Sequence, residues 1–501
     1  MLKNLRTAAA VAVFGLLTFY AVDFAGVLPL EFNILARLQF IPALMSRNAV
    51  IIAGLILCAL LFGRVYCSFI CPLGIFQDIV IRCSKSAYSK RKNVYKKDNI
   101  ILRWSVVIIC VICFFSGFTV IVAILDPYGA YGRMALHLFK PVYMSANNIL
   151  ATAFNHFGNY IFYQTEVAIL SVFSFVIASL SFAVIGVLAW TRGRLYCNSV
   201  CPVGTVLGFI NKYSLFKIQI NGDKCASCGI CAKKCKASSI DARAKAVDYS
   251  RCVNCFNCIN NCGKKAVSFS VNKNKTKRQP MIDADKRRLL LIGISAVITA
   301  PAAVLARAKD KLPENRRNAV SPPGSVSAKR LLKHCTSCHL CVSKCPSKAL
   351  KPSFLEYGIS GILTPVMDFQ RGFCNFDCTI CTEVCPNNAL VRLTMEQKHS
   401  LQVGRVVLKP ELCVVHTNGW NCGACSEHCP TQAVKMVPYR DGLTVPVIDA
   451  DICVGCGGCE FICPVRPQRA IYVEGNEVHR QAKAFDVEEK ENKAIITDFG
   501  F

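Results

Sequence analysis

Long apolar runs fill the first 190 residues and then give way to short ones. They cover residues 8–28, 49–61, 100–125 and 167–190, and a milder run follows at 289–306. A helix that crosses a bilayer needs about 20 mostly apolar residues, and about 17 can suffice. The first, third and fourth runs meet that length. The second does so only if Val65 and Tyr66 extend it, and the fifth is marginal. The pattern predicts a polytopic α-helical membrane bundle of four spans, with a fifth anchor or signal span. The remaining sequence is broken by closely spaced cysteines, which predicts small α+β modules.

Charge gives this bundle a direction. Residues 64–103 hold nine Lys/Arg, whereas 29–48 and 126–165 hold two each. That asymmetry puts the 64–103 loop in the cytoplasm. The amino terminus and residues 191–288 then lie on the same side. Five crossings put residues 310–501 on the outer, periplasmic side of a bacterial cell membrane. Much of the formal net charge of +28 is therefore a topology signal, and nucleic acid is not an expected partner, because the basic residues line membrane-flanking loops. Arg287-Arg288 ahead of the fifth run resembles a twin-arginine export signal, a route for domains already folded.

The membrane half repeats itself. Gly63-Arg64-Val65-Tyr66-Cys67 to Cys71-Pro72-Leu73-Gly74 matches Gly193-Arg194-Leu195-Tyr196-Cys197 to Cys201-Pro202-Val203-Gly204 at seven of twelve positions. Each copy ends an even-numbered span, so a parallel repeat would bring Cys67, Cys71, Cys197 and Cys201 together at the cytoplasmic surface. The same spacing twice, flanked by matched Arg and Gly, predicts a redox or cluster-binding role. Cys58, Cys83, Cys110 and Cys113 read as packing residues.

Twenty-four of the 32 cysteines fall into six further groups. Two are Cys225/Cys228/Cys231/Cys235 and Cys252/Cys255/Cys258/Cys262. Four are Cys335/Cys338/Cys341/Cys345, Cys374/Cys378/Cys381/Cys385, Cys413/Cys422/Cys425/Cys429 and Cys453/Cys456/Cys459/Cys463. Most read C-x2-C-x2-C-x3-C, and the last four all end in Cys-Pro. Three closely spaced thiolates wrap one [4Fe–4S] cube, and the fourth serves the neighbouring cluster in two-cluster ferredoxins. The set has room for about six clusters. In the first pair of groups, cross-ligation gives Cys262 to the first cluster and Cys235 to the second; among the outer four the exchange is not readable. Zinc sites use wider spacing.

The domains expected are 1–215, the four-helix membrane domain; 216–272, an inner two-cluster ferredoxin; 273–330, the basic segment, fifth span and linker; 331–480, an outer four-cluster polyferredoxin; and 481–501, a tail. No span contains a histidine to hold haem, and Cys335-Thr-Ser-Cys338-His339, although a C-x-x-C-H match, belongs to a ferredoxin group. Neither haem nor flavin is expected. No Gly-rich phosphate loop or nucleophile constellation suggests bond-making chemistry. Arg37, Gln39, Asp126, Tyr128 and Arg133 sit near the outer membrane edge, where a quinol headgroup would need polar partners in an apolar cleft.

These motifs carry a resemblance. Residues 1–270, with their spans, twin C-x3-C-P motifs and two-cluster ferredoxin, resemble the NapH-type membrane quinol dehydrogenase component of periplasmic nitrate reductase systems. Residues from 283 to about 470 look like the NapG and MauM types of ferredoxin. The resemblance implies a fusion that passes electrons from the quinone pool, or from a cytoplasmic ferredoxin or flavodoxin, to a periplasmic reductase or electron carrier. Relatives with twin motifs serve nitrous oxide reduction and copper-oxidase assembly. The alternative is accordingly a maturation factor that reduces metal or thiol centres of a partner enzyme.

Overall fold

The computed structural model describes residues 2–84, 95, 99–271, 316 and 318–483. The amino-terminal bundle is built from α1 (Leu2–Val22), α2 (Ala49–Phe62), α3 (Pro72–Cys83), α4 (Ile100–Phe115), α5 (Thr119–Leu125), α6 (Pro127–Met134), α7 (Lys140–His156), α8 (Val172–Arg192) and α9 (Pro202–Asn211).

The sequence repeat is also a structural one. Asn48 starts α2 by accepting from the Ile51 N–H, and Ser171 starts α8 by accepting from that of Ser174. Each helix stops on a glycine in the left-handed region, Gly63 at φ 74° and Gly193 at φ 68°, where a Cβ would be strained. A one-turn helix follows each, Tyr66–Phe69 and Leu195–Ser199. The second cysteine of each motif, Cys71 or Cys201, then caps a new helix whose first turn holds proline, α3 or α9. The two cysteines of a motif therefore do not share one continuous helix.

Four or five spans are not what the helices deliver. Among the described residues two helices, α1 and α8, are long and apolar enough to cross a membrane. α2 stops at 14 residues on Gly63, short of Val65 and Tyr66. The third run is broken at Ser116-Gly117-Phe118, with Gly117 at φ 81°, into α4 of 16 residues and α5 of 7. Hydropathy counts apolar residues across such a break, but the backbone does not continue through it. The fifth run, the twin arginines and the tail beyond 483 lie outside the described residues. The outer segment 126–165 carries α6 and α7, joined by a π-helical turn, Ala135–Phe139. α8 turns Val172, Val176, Leu180, Val184 and Val187 outward.

Among the described residues the ferredoxin parts hold two-stranded antiparallel ladders. Phe216–Ile220 pairs with Val267–Val271 and Ile240–Asp241 with Ala246–Val247 in the inner unit. In the outer part Leu350–Pro352 pairs with Pro365–Met367, Val434–Pro438 with Thr444–Ile448, and Leu401–Leu408 with Ile471–Gln481. A two-stranded ladder is marginal on its own. One continuous core runs from the bundle through the inner ferredoxin and the first two outer groups; a second surrounds Cys413–Cys463.

The outer unit seats on α6 with no space to spare. A Cβ on Gly132 would lie 2.3 Å from the Cys338 carbonyl oxygen. Gly132→Ala should therefore cost about 1–3 kcal/mol by overpacking and loosen the outer unit, speeding its release by limited proteolysis. Cleavage at the wild-type rate would contradict this seating.

Candidate iron–sulfur centres

The cysteine loops share a backbone signature. In each group of regular spacing the residues on both sides of the second cysteine have positive φ: Ser227 and Gly229, Asn254 and Phe256, Ser337 and His339, Gly455 and Gly457. Phe256 at 59° and His339 at 61° are bulky side chains held where such residues rarely sit. The turn directs backbone N–H groups inward, as an anion-binding nest does; the Ser337 N–H lies 3.3 Å from Cys335 Sγ. After the fourth cysteine a second turn recurs, with positive φ at Ser238, Lys265, Lys348, Asn388 and Gln432. It brings the N–H groups of Ser239, Ala266 and Leu390 to within 3.3–3.4 Å of Cys235, Cys262 and Cys385 Sγ. Thiolates and cluster sulfides would accept these donors.

Electrostatics sorts the thiols into quartets. Burial pushes Cys335 up to about 12, and Cys385 pushes the same way; Cys338 and Cys341 are also raised, by burial first and again with Cys385 among their neighbours. Cys374, Cys378 and Cys381 are raised by burial and by Cys345. Cys453, Cys456 and Cys459 have Cys429 in the same role, and Cys425 has Cys422, Cys413 and Cys463. In the inner unit Cys252, Cys255 and Cys258 join Cys235, while Cys231 joins Cys225 and Cys228. In the outer part the fourth cysteine of one group thus lies near the first three of its neighbour: Cys385 near the first group, Cys345 near the second, Cys463 near the third and Cys429 near the fourth. Among the described residues no three His, Cys, Asp or Glu converge tightly enough to hold a single metal ion.

The quartets adjoin one another and the bundle. The Cys374 N–H donates to the Cys456 carbonyl at 2.9 Å, joining the two outer pairs. Arg133, fully buried, donates to the Ala123 and Ser337 carbonyls at 3.0 and 3.1 Å. On the inner side Ser68 Oγ donates to the Val253 carbonyl at 2.8 Å, next to Cys252. Asp78, which sequence reasoning missed, pairs with Arg194, Arg6 and Lys236 at 2.8, 2.9 and 3.0 Å. Burial opposes its charge, but the three cations outweigh burial and hold the carboxyl well below its usual range. It is the one acidic residue between Arg64 and Lys97, a signal available in the sequence.

The five polar residues at the outer edge do not form one cleft. Asp126 caps α6, accepting from the Tyr128 and Gly129 N–H groups; burial pushes its carboxyl up to about 6. Tyr128 and Arg133 lie with it beneath the first outer quartet, beside a cavity of about 10 Å³ that Tyr128 shares with Cys338 and His339. That space holds about one water. Arg37 donates to the Glu383 carbonyl, and Gln39 accepts from Tyr66 Oη at 2.9 Å.

A family described as a 4Fe-4S binding domain matches residues 47–92 and 173–221, the two copies of the repeat. Families described as 4Fe-4S dicluster domains match 248–349 and 420–466. The chain is an iron–sulfur protein of the ferredoxin type. Among curated proteins, the ferredoxin-type protein NapG of Escherichia coli is 32% identical over 161 residues, covering 30% of this chain and 68% of NapG. The methylamine utilization ferredoxin-type protein MauM of Paracoccus denitrificans is 30% identical over 195 residues, covering 38% of this chain and 83% of MauM. An uncharacterized protein of Methanocaldococcus jannaschii is 34% identical over 105 residues, 21% of this chain; the chain spans 42% of its length. No solved structure matches. The chain belongs to the family of ferredoxin-type electron-transfer proteins that includes NapG and MauM.

The exchange of fourth cysteines is testable. In purified protein Cys345→Ser and Cys378→Ser should each abolish the same reduced-cluster EPR signal, and Cys335→Ser a different one. Loss of one common signal in Cys345→Ser and Cys335→Ser would refute the pairing.

Proposed function

We infer that this chain conducts electrons across a bacterial cell membrane, from two inner [4Fe–4S] clusters to four outer ones, and delivers them to a periplasmic reductase. The observation that carries this reading is α1. At its start Arg6 meets Asp78, which also holds Lys236 beside Cys235; at its end Asp23 pairs with Lys344, beside Cys345, at 2.9 Å. Asp23 lies 17 positions beyond Arg6, or about 26 Å along the helix at 1.5 Å per residue, close to a hydrocarbon core of about 30 Å. The opposite run is made by α2. Met45, before it, hydrogen-bonds His334, one residue ahead of Cys335, and Phe62 at its end accepts from Asn254 in the inner unit. Two helices thus link the same two ferredoxin units, as membrane-separated modules require.

The crossings are then made by α1 and α8, with the shorter α2 and the α4–α5 pair packed in the same bundle. Electrons enter from a cytoplasmic donor at the inner unit, where Cys228 is exposed, or from quinol near Asp126 and Arg133. Exposure of Cys228 favours the cytoplasmic donor, and the cavity at Tyr128 is too small for a quinol ring. Electrons leave from the outermost quartet, beside which Trp420 is 64% exposed, a side chain suited to docking a partner.

In intact spheroplasts a tag after Phe501 should be cleaved by added protease, and a tag inserted at Gly222 should be cleaved only after lysis. Protection of both tags until lysis would put all clusters in the cytoplasm and remove the periplasmic reductase as acceptor.

A further inference from the structure

The two quartets of the inner unit differ in exposure. Cys235, Cys252, Cys255 and Cys258 are buried, whereas Cys228 is exposed and Cys225, Cys231 and Cys262 are half-buried. The buried quartet is the one the bundle grips. Arg64, which also donates to the Cys197 carbonyl at 3.2 Å and lies 3.9 Å from Cys67 Sγ, donates to the Ser250 carbonyl at 3.0 Å. Asn254 donates to the Phe62 carbonyl, and Asn198 to that of Ala237 at 3.2 Å. Ser250, Asn254 and Ala237 each stand two positions from Cys252 or Cys235. Other contacts close the exposed quartet. The Asn221 N–H donates to the Ala266 carbonyl at 2.8 Å, which brings the loop before Cys225 to the loop after Cys262. Lys245 Nζ donates to the Gly222 carbonyl at 2.9 Å.

A ring of cations follows from that folding. Lys224, Lys233, Lys234, Lys245, Lys264 and Lys265 are all exposed, and the contacts just named gather their loops around the first quartet. Inside the ring Ala226, Ser227 and Ile230 are exposed beside Cys228, small or apolar side chains that let a partner come close to its sulfur. Residues 221–265 hold nine Lys/Arg against three Asp/Glu, whereas 413–463 hold two against five. Cluster charge does not account for the difference, because each segment carries eight cysteines of the ferredoxin groups. The ring surrounds the exposed quartet rather than the one the bundle grips, so its charge is separate from that of the membrane-flanking loops. An apolar centre within a polar rim is the anatomy of a protein–protein interface. A field of one sign over such a patch steers a partner of the other sign onto it.

We propose that the Cys225/Cys228/Cys231/Cys262 quartet is the docking port of the inner unit, and that its lysine ring takes an acidic, soluble one-electron carrier protein. The carrier sits over Cys228, its carboxylates against the ring. One electron leaves the reduced carrier at this quartet and moves on to the Cys252 quartet, next to the bundle. The carrier is oxidised by that one electron, and no bond or proton changes place. The excess of carboxylates in 413–463 repels the same carrier from the far end of the chain. Each end thus selects its partner by the sign of its charge.

The port rests on the reading of the inner unit as the entry for electrons, and its test separates the two. Full-length protein purified anaerobically in detergent would be titrated by calorimetry with a soluble acidic [2Fe–2S] ferredoxin, and with a basic c-type cytochrome as counter-probe. The ferredoxin should bind and the cytochrome should not compete with it. Raising salt from about 50 to about 500 mM should weaken ferredoxin binding about tenfold or more. Lys233→Glu/Lys234→Glu combined with Lys264→Glu/Lys265→Glu should do the same at low salt, with the iron content of the wild type. If that variant does not accumulate, Lys264→Gln/Lys265→Gln should weaken binding by a smaller factor. Wild-type affinity in these variants, or affinity indifferent to salt, would overturn the proposal. Protection of the ring from lysine acetylation by phosphatidylglycerol vesicles, and not by the ferredoxin, would assign it to lipid headgroups and overturn the proposal equally. Ferredoxin that binds through the ring but, once reduced, passes no electron to the protein would sink the entry reading alone.

Discussion

Among the described residues the side chains of Arg64, Arg133 and Arg194 are the largest that this protein buries completely. Each costs several kcal/mol to remove from water unless an anion accompanies it. Arg194 pairs with a carboxylate, Asp78, that is shared with Arg6 and Lys236, and Arg133 has the buried Asp126 nearby. Arg64 and Arg133 make hydrogen bonds to carbonyls that flank cysteine loops, at Cys197 and Ser250 for one and at Ser337 for the other. Thiolate-bound clusters at those loops would supply negative charge beside these cations, and the hydrogen bonds themselves tie the bundle to the cysteine loops.

The same dependence governs the ferredoxin parts. Their ladders are two strands wide, and their loops hold Phe256, His339 and other residues in left-handed conformations. Neither feature is stable by itself. Ligation by a fourth cysteine from the neighbouring group would close each pair into one unit and couple metal binding to folding. The Cys374–Cys456 backbone bond then joins pair to pair, and Arg133 with Gly132 fixes the first pair to α6. A train of centres held together this way cannot be rearranged without losing its ligands.

Much of this was legible in the sequence, because thiolate spacing is a local property. The groups and the repeat at 63–74 and 193–204 follow from residues a few positions apart, and the inner exchange expected for Cys235 agrees with its closeness to Cys252, Cys255 and Cys258. The outer exchange did not, since Cys345 and Cys385 are brought to their partners by tertiary packing. Hydropathy overstated the spans, because glycines at 63 and 117 end helices inside apolar runs. Asp126 and Arg133 were read as groups facing a ligand; the structure uses the first as a helix cap and the second as a clamp on the outer unit. Asp78 was overlooked because a single carboxylate among cations reads as incidental until three of those cations converge on it.

The central claim, that one chain carries electrons from its inner clusters to its outer ones through a membrane, is tested most directly in sealed vesicles. Full-length protein would be reconstituted with a membrane-impermeant oxidised dye trapped inside and an impermeant low-potential reductant added outside. Molecules with the inner ferredoxin facing outward should bleach the trapped dye continuously, and vesicles without protein should not. Reduction of the clusters on the outside with no change in the trapped dye would contradict the account.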